Sequence, residues 1–223
     1  MREVIASTGK DGLLRLLDRD TKDLIYSVPF TNRLNVEAPI TTTPVRVCPG
    51  TLGGEEWNGS AYYAKQNMLI VPATDWCAEF NKDATAPDPQ KEHTRGFYFG
   101  GQTKFDPWSA ARGRLTAFDA STGQEKWRYD AAKPLVAGVT TTAGDLIFTG
   151  ELTGDLLALD ARSGKVLLRR ALGAPAGGGV VTYSAKGRQY VAVVSGIVGV
   201  YNLVAPEIGG GNTTITVFRI PGK

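Results

Sequence analysis

Few side chains in this 223-residue sequence have the type and spacing that chemistry needs. Lys10, in Gly9-Lys10-Asp11-Gly12, is a cation on a tight turn; taken alone it reads as a solvated lysine. Trp57 follows the carboxylate Glu56 and reads as core as readily as a ligand-facing ring. Cys48 and Cys77 are the only cysteines, and without histidines at ligand spacing they do not make a zinc site. Read alone they are two buried thiols. The sole histidine, His93, lies in a polar stretch and reads as solvated. No Cys-x-x-Cys-His haem attachment motif occurs.

The bulk properties remove whole classes of function. Net charge is 25 − 22 = +3, with no basic run interleaved with aromatics, so a nucleic-acid partner is not expected. No apolar stretch approaches the roughly 18 residues of a membrane-spanning helix. The start, Met1-Arg2-Glu3-Val4, lacks the apolar core of a signal peptide and passes straight into a strand. A chain entered in this way is expected to be a processed or truncated piece.

The elements that must position these residues are strands. Ala117-Phe118-Asp119-Ala120-Ser121-Thr122-Gly123 recurs as Ala158-Leu159-Asp160-Ala161-Arg162-Ser163-Gly164, with a weaker copy at Leu16-Leu17-Asp18-Arg19-Asp20-Thr21. The better copies lie 160 − 119 = 41 residues apart, the length of one four-stranded propeller blade. In each, an apolar strand ends in Asp, whose carboxylate can accept turn amides, and Gly supplies the positive φ of the hairpin. The next strand carries a large residue (Trp127, Leu168 or Tyr26) toward a neighbouring sheet.

The expected fold is all-β: a β-propeller of four-stranded antiparallel blades, incomplete, with about three and a half blades of an eight-bladed type over residues 1–223. A blade remnant is expected at 1–28, a blade at 56–130 with a long polar loop at 78–112, then blades at 138–171 and 179–220. Within the last, Val198 to Asn202 reads as a strand. An open stack leaves sheet faces uncovered, so completion by a complementary half or by a second copy is expected.

Five phrases, in order, resemble the C-terminal half of the pyrroloquinoline-quinone (PQQ)-dependent alcohol dehydrogenases, eight-bladed propellers. They are Gly9 to Arg19; Cys48-Pro49-Gly50 with Gly53 to Gly59; Thr142 to Phe148; Thr182-Tyr183; and Lys186 to Val193 with Ser195-Gly196. The resemblance implies oxidation of a small alcohol with hydride transfer to PQQ, in the periplasm. It implies that Lys10 lies beside a quinone carbonyl, that Glu56 and Trp57 match an Asn-Trp pair against the cofactor, and that Ile197 lines it. It also implies a Cys48–Cys77 disulfide.

Two departures stand out. Glu56 replaces the family's Asn, and a carboxylate beside a tricarboxylate is unfavourable unless protonated, paired with Lys10 or turned away. Val136-Ala137-Gly138 lacks the Trp that often precedes this glycine. The family's catalytic base, calcium ligands, vicinal disulfide and the Trp stacked under PQQ belong to a segment upstream of the matched one. The chain alone is therefore expected to be inactive. A non-catalytic propeller module for protein binding or scaffolding is the alternative.

Overall fold

The computed structural model describes residues 3–84, 100–196 and 198–219. β1 (Val4–Ser7), β2 (Leu13–Asp18) and β3 (Leu24–Pro29) form the first antiparallel sheet. After β4 (Val45–Val47) come β5 (Ala61–Tyr63) and β6 (Met68–Asp75), the pair β7 (Ala78–Lys82) and β8 (Gly101–Phe105), then β9 (Arg112–Asp119) and β10 (Glu125–Ala131). β6 pairs with β9, so the second sheet runs β10-β9-β6-β5, and β7 and β8 turn back onto β4 as a separate small sheet.

β11 (Thr140–Thr141), β12 (Leu146–Gly150), β13 (Asp155–Asp160) and β14 (Val166–Ala171) build the third propeller sheet in chain order. β15 (Ala176–Ala185), β16 (Arg188–Ser195) and β17 (Thr214–Arg219) build the fourth. Every strand pairing in the four is antiparallel. Described residues thus supply fourteen propeller strands, the number in three and a half blades.

The side-chain period of two explains why the sheets stack. All eight residues of β6 are buried, because this strand is covered on both faces. Leu69, Val71 and Ala73 pack toward Leu14 and Leu16 of the first sheet. Met68 and Ile70 pack the other way, with Leu115, toward Ile147, Leu157 and Leu159 of the third.

The repeated phrase forms the hairpins that clamp neighbouring sheets. Asp119 Oδ1 accepts the Ser121 and Thr122 amides at 2.9 and 3.2 Å; Asp160 Oδ1 accepts those of Arg162 and Ser163 at 3.0 and 2.9 Å. Gly123 and Gly164 adopt φ of 72° and 70°. Trp127 of β10 lies against Gly164 and donates its Nε1–H to the Ala161 carbonyl at 3.1 Å. Tyr26 of β3 does the same one sheet earlier, against Gly123, with its hydroxyl on the Ala120 carbonyl at 3.1 Å.

Two expectations are corrected. Val198 to Asn202 is no strand: Val200–Val204 forms a short helix, α1. Gly199 at φ 52° breaks the extended path, the Asn202 side chain accepts the Val198 amide at 2.6 Å, and Tyr201 is wholly buried. The stretch at 78–112 is not only loop, since β7 and β8 lie in it. The Cys48–Cys77 bridge brings β4 alongside, giving β7 an edge to pair with.

Candidate functional site

The strands have two unlike ends. The repeat hairpins crowd one, and the connections β1–β2, β3–β5, β10–β11 and β16–β17 meet at the other. Gly54 makes the first junction. At φ 77° it has no Cβ, and a Cβ there would lie 2.6 Å from the Lys10 Cα, so the β1–β2 turn can rest directly on the loop before β5. The Glu55 amide donates to the Gly9 carbonyl at 3.2 Å, and Gly54 exchanges backbone hydrogen bonds with Thr74 at 2.8 and 2.9 Å.

This junction aims Lys10. Its Nζ donates to Glu56 Oε1 at 2.6 Å and to the Thr51 carbonyl at 2.9 Å. The Glu56 side chain is 5% exposed while that of Lys10 is 56% exposed, so the ammonium is anchored from below and open above. Burial pushes the Glu56 carboxyl upward, and the Lys10 ammonium pulls it back. Of the three ways to accommodate Glu56, pairing with Lys10 is the one the fold adopts.

Trp57 stands next to this pair and is 54% exposed, so it is not core. Its Nε1–H donates to the Gly177 carbonyl at 2.8 Å, and its ring meets Tyr201 edge-on at 5.9 Å. Tyr201 is fixed in turn, donating to the Leu52 carbonyl at 2.9 Å and lying 3.1 Å from the Thr74 hydroxyl. Burial, and secondarily the Glu56 charge, push its phenol well above the ordinary range. The adjacent Asn58 amide donates to the Leu135 and Ala137 carbonyls at 3.1 and 3.3 Å.

Glu55 was not singled out by the sequence reading. Its carboxyl is buried and receives the hydroxyls of Thr8 and of Ser60, the latter at 2.8 Å. Burial pushes it up to about 7, against the Ser60 hydrogen bond. It joins the strand entering the Lys10 turn to the segment leaving Trp57.

A family model described as outer membrane protein assembly factor BamB matches residues 111–202. Over 97% of the chain, the sequence is 31% identical to quinoprotein alcohol dehydrogenase PedE of Pseudomonas putida, covering 38% of that protein. It is 30% identical over its whole length to the quinohemoprotein alcohol dehydrogenase of Comamonas testosteroni, covering 34% of it. The crystal structure of that quinohemoprotein superposes on the whole chain with a TM-score of 0.85 at 26% identity, covering 36% of that structure. The chain is similar over nearly its whole length to quinoprotein alcohol dehydrogenases. It spans between a third and two-fifths of the length of the relatives it matches.

Given that similarity, the bearing of this end on a planar, carboxylate-rich quinone can be tested on the residues present. A half-exposed ammonium, paired with Glu56, and the exposed indole of the next residue, Trp57, lie on consecutive connections. Beside Trp57 opens a cleft of about 240 Å³, lined by Gly177, Gly178, Ser195, Gly196 and Gly199, with no acidic side chain among its described lining residues. Four buried side-chain atoms lack a hydrogen-bond partner among the described residues: Asn58 Oδ1, Asp75 Oδ1, Thr149 Oγ1 and Ser195 Oγ. All four belong to this end: Asp75 and Ser195 are the last residues of β6 and β16, and Thr149 is the last but one of β12. Buried polar atoms are normally satisfied, so their concentration here suits an end that meets polar ligand groups or water. The charge and the exposed ring at this end are compatible with such a quinone.

The remaining calls are quickly placed. Cys48 and Cys77 form a disulfide with Cα atoms 4.4 Å apart, and the Gly50 amide, two residues on from Cys48, reaches the Trp76 carbonyl at 2.8 Å. The bridge thereby holds the loop whose Thr51 carbonyl receives Lys10. Ile197 and His93 lie outside the described residues. Among the described residues no cluster of three or more His, Cys, Asp or Glu side chains could hold a metal. No helix among them is long and apolar enough to cross a membrane.

Proposed function

We propose that this chain forms one wall of the cofactor pocket of a PQQ-dependent alcohol dehydrogenase. The observation that carries the reading is Lys10, held by Glu56 and Thr51 and more than half exposed, with the exposed Trp57 following Glu56 in the chain. PQQ, when bound, supplies an ortho-quinone that accepts hydride from the alcohol. Lys10 donates a hydrogen bond toward a quinone carbonyl oxygen and stabilises the charge that develops there. Trp57, oriented by Gly177, offers a flat apolar face to the ring system. Glu56 offsets part of the Lys10 charge, which makes this wall less cationic than an Asn at that position would.

The general base and the calcium (or lanthanide) ligands come from outside this chain, either from a complementary N-terminal half or from a second copy. The chain alone is inactive, and its setting is the periplasm, where the Cys48–Cys77 disulfide is stable. The repeated hairpin phrase is read as a tryptophan-docking repeat. The family model's description favours a second reading, in which the propeller serves protein binding without catalysis.

Titrating PQQ with calcium into the purified chain, with Lys10→Ala as the control, separates the two. Saturable binding that the variant loses supports the pocket wall. Absence of binding to the wild type overturns it and leaves the binding module. Alcohol oxidation by the chain alone at an ordinary dehydrogenase rate would remove the claim that it is inactive.

A further inference from the structure

The cleft beside Trp57 has a feature that neither Lys10 nor the indole uses. Ser195 ends β16 and is 2% exposed; its hydroxyl has no partner among the described residues. Ser195 pairs through its backbone with Ala176 on one side and Thr214 on the other, so its position is fixed by two neighbouring strands. The cleft it lines is walled by glycine backbone: Gly177 and Gly178 on β15, then Gly196 at φ 135° and Gly199 at φ 52°. A buried hydroxyl without a partner costs about 1–3 kcal/mol. Such a cost persists where a ligand or water removes it.

We infer that this cleft is a hydrogen-bonding subsite for an acceptor oxygen, carboxylate or carbonyl, on the edge of a planar ring ligand whose face lies on Trp57, with the Ser195 hydroxyl as donor. Three observations lead to that ligand class. The cleft's about 240 Å³ is below the roughly 300–1,000 Å³ of a complete ligand pocket, so it takes one edge of a larger molecule. Its described lining carries no carboxylate to repel an anion. The Trp57 ring that forms one side is pinned by its Nε1–H on the Gly177 carbonyl, and so presents a fixed face. The neutral serine is a second recognition point, on a different sheet from Lys10. It rests on the reading of Lys10 and Trp57 as the cofactor wall and adds to it a position that the sequence comparison did not single out.

The test is a PQQ titration followed by Trp fluorescence and calorimetry on the full chain, comparing the wild type with Ser195→Ala, Ser195→Thr and Lys10→Ala. Ser195→Ala removes a hydroxyl that makes no hydrogen bond among the described residues, so the ligand-free melting temperature is unchanged or raised. PQQ affinity falls by about tenfold or more, the weight of one hydrogen bond to a charged group, and Ser195→Thr restores most of it. Unchanged PQQ affinity in Ser195→Ala, with Lys10→Ala still impaired, would overturn the subsite and leave the pocket wall standing. Failure of the wild type to bind PQQ at all would remove the wall and the subsite together.

Discussion

Lys10 and Glu56 share a 2.6 Å ion pair across two connections of the propeller, one partner more than half exposed and the other almost fully enclosed. The asymmetry makes Glu56 a built-in competitor for the ammonium. An anionic or carbonyl ligand must share Lys10 with it, and the cost of the buried carboxylate is already present before the ligand arrives.

Glu56→Asn and Glu56→Gln are accordingly expected to tighten PQQ binding by about tenfold, because each frees Lys10 and removes a like charge from the pocket wall. Lys10→Ala should act in the opposite direction and also destabilise the chain, since it strands the Glu56 carboxylate. Paired titrations and melts of the three variants check both statements.

Glu55 gives a pH dependence of fixed sign. Its folded-state value, about 7, stands above the ordinary 4.5, so the folded state holds the proton more tightly than the unfolded chain. Its contribution is fully present below the unfolded value and is lost as pH rises through about 7. Stability should fall between pH 5 and pH 8 by up to about 3 kcal/mol from this group, and Glu55→Gln should flatten that slope. Urea melts at the two pH values measure it.

At the opposite end of the strands, a side chain at Gly164 would enter the space of the Trp127 ring, and the backbone there has φ 70°. Gly164→Ala should cost about 2–4 kcal/mol, combining overpacking with an unfavourable conformation. Gly123→Ala should behave alike, because its Cβ would sit 2.8 Å from the Tyr26 ring. Denaturant midpoints at unchanged slope would bear this out, and unaffected midpoints would refute it.

Cys48 and Cys77 are 29 residues apart, which gives a stabilisation of about 3–4 kcal/mol in the chain-entropy model. Cys48→Ser with Cys77→Ser should lose that amount. It should also weaken whatever binds at Lys10, since Thr51 lies in the bridged loop. A melt and a titration of the double variant read the two effects separately.

The parts of this molecule legible in the sequence are those with local causes. Asp119 and Asp160 cap their turns within three residues, and Gly123 and Gly164 take the positive φ that the turns demand. Continuous apolar runs at the cores of β6 and β13 give strands buried on both faces. The site was legible only at Lys10, Glu56 and Trp57, and there through resemblance. Their physical partners are far along the chain: Lys10 meets Glu56 across 46 residues, and Trp57 reaches Gly177 across 120. Glu55 and Ser195 carry no local pattern at all: Glu55 matters as a buried carboxyl held by the Thr8 and Ser60 hydroxyls, Ser195 as a buried hydroxyl without a partner among the described residues, and only the assembled sheets create either. Val198 to Asn202 misled for the same reason: its apolar alternation suits a strand, but Tyr201 is drawn inward by Leu52, 149 residues earlier.

The separation of the two strand ends bears on how such a chain can change over generations. The hairpins that lock Tyr26 onto Gly123 and Trp127 onto Gly164 share no side chain with the loops around Lys10. Effects of mutations at distant positions without shared partners add nearly independently. A lineage can therefore exchange residues at the open end while the stacked sheets keep their stability reserve. Such a fold accumulates new binding preferences without first having to evolve a sturdier frame.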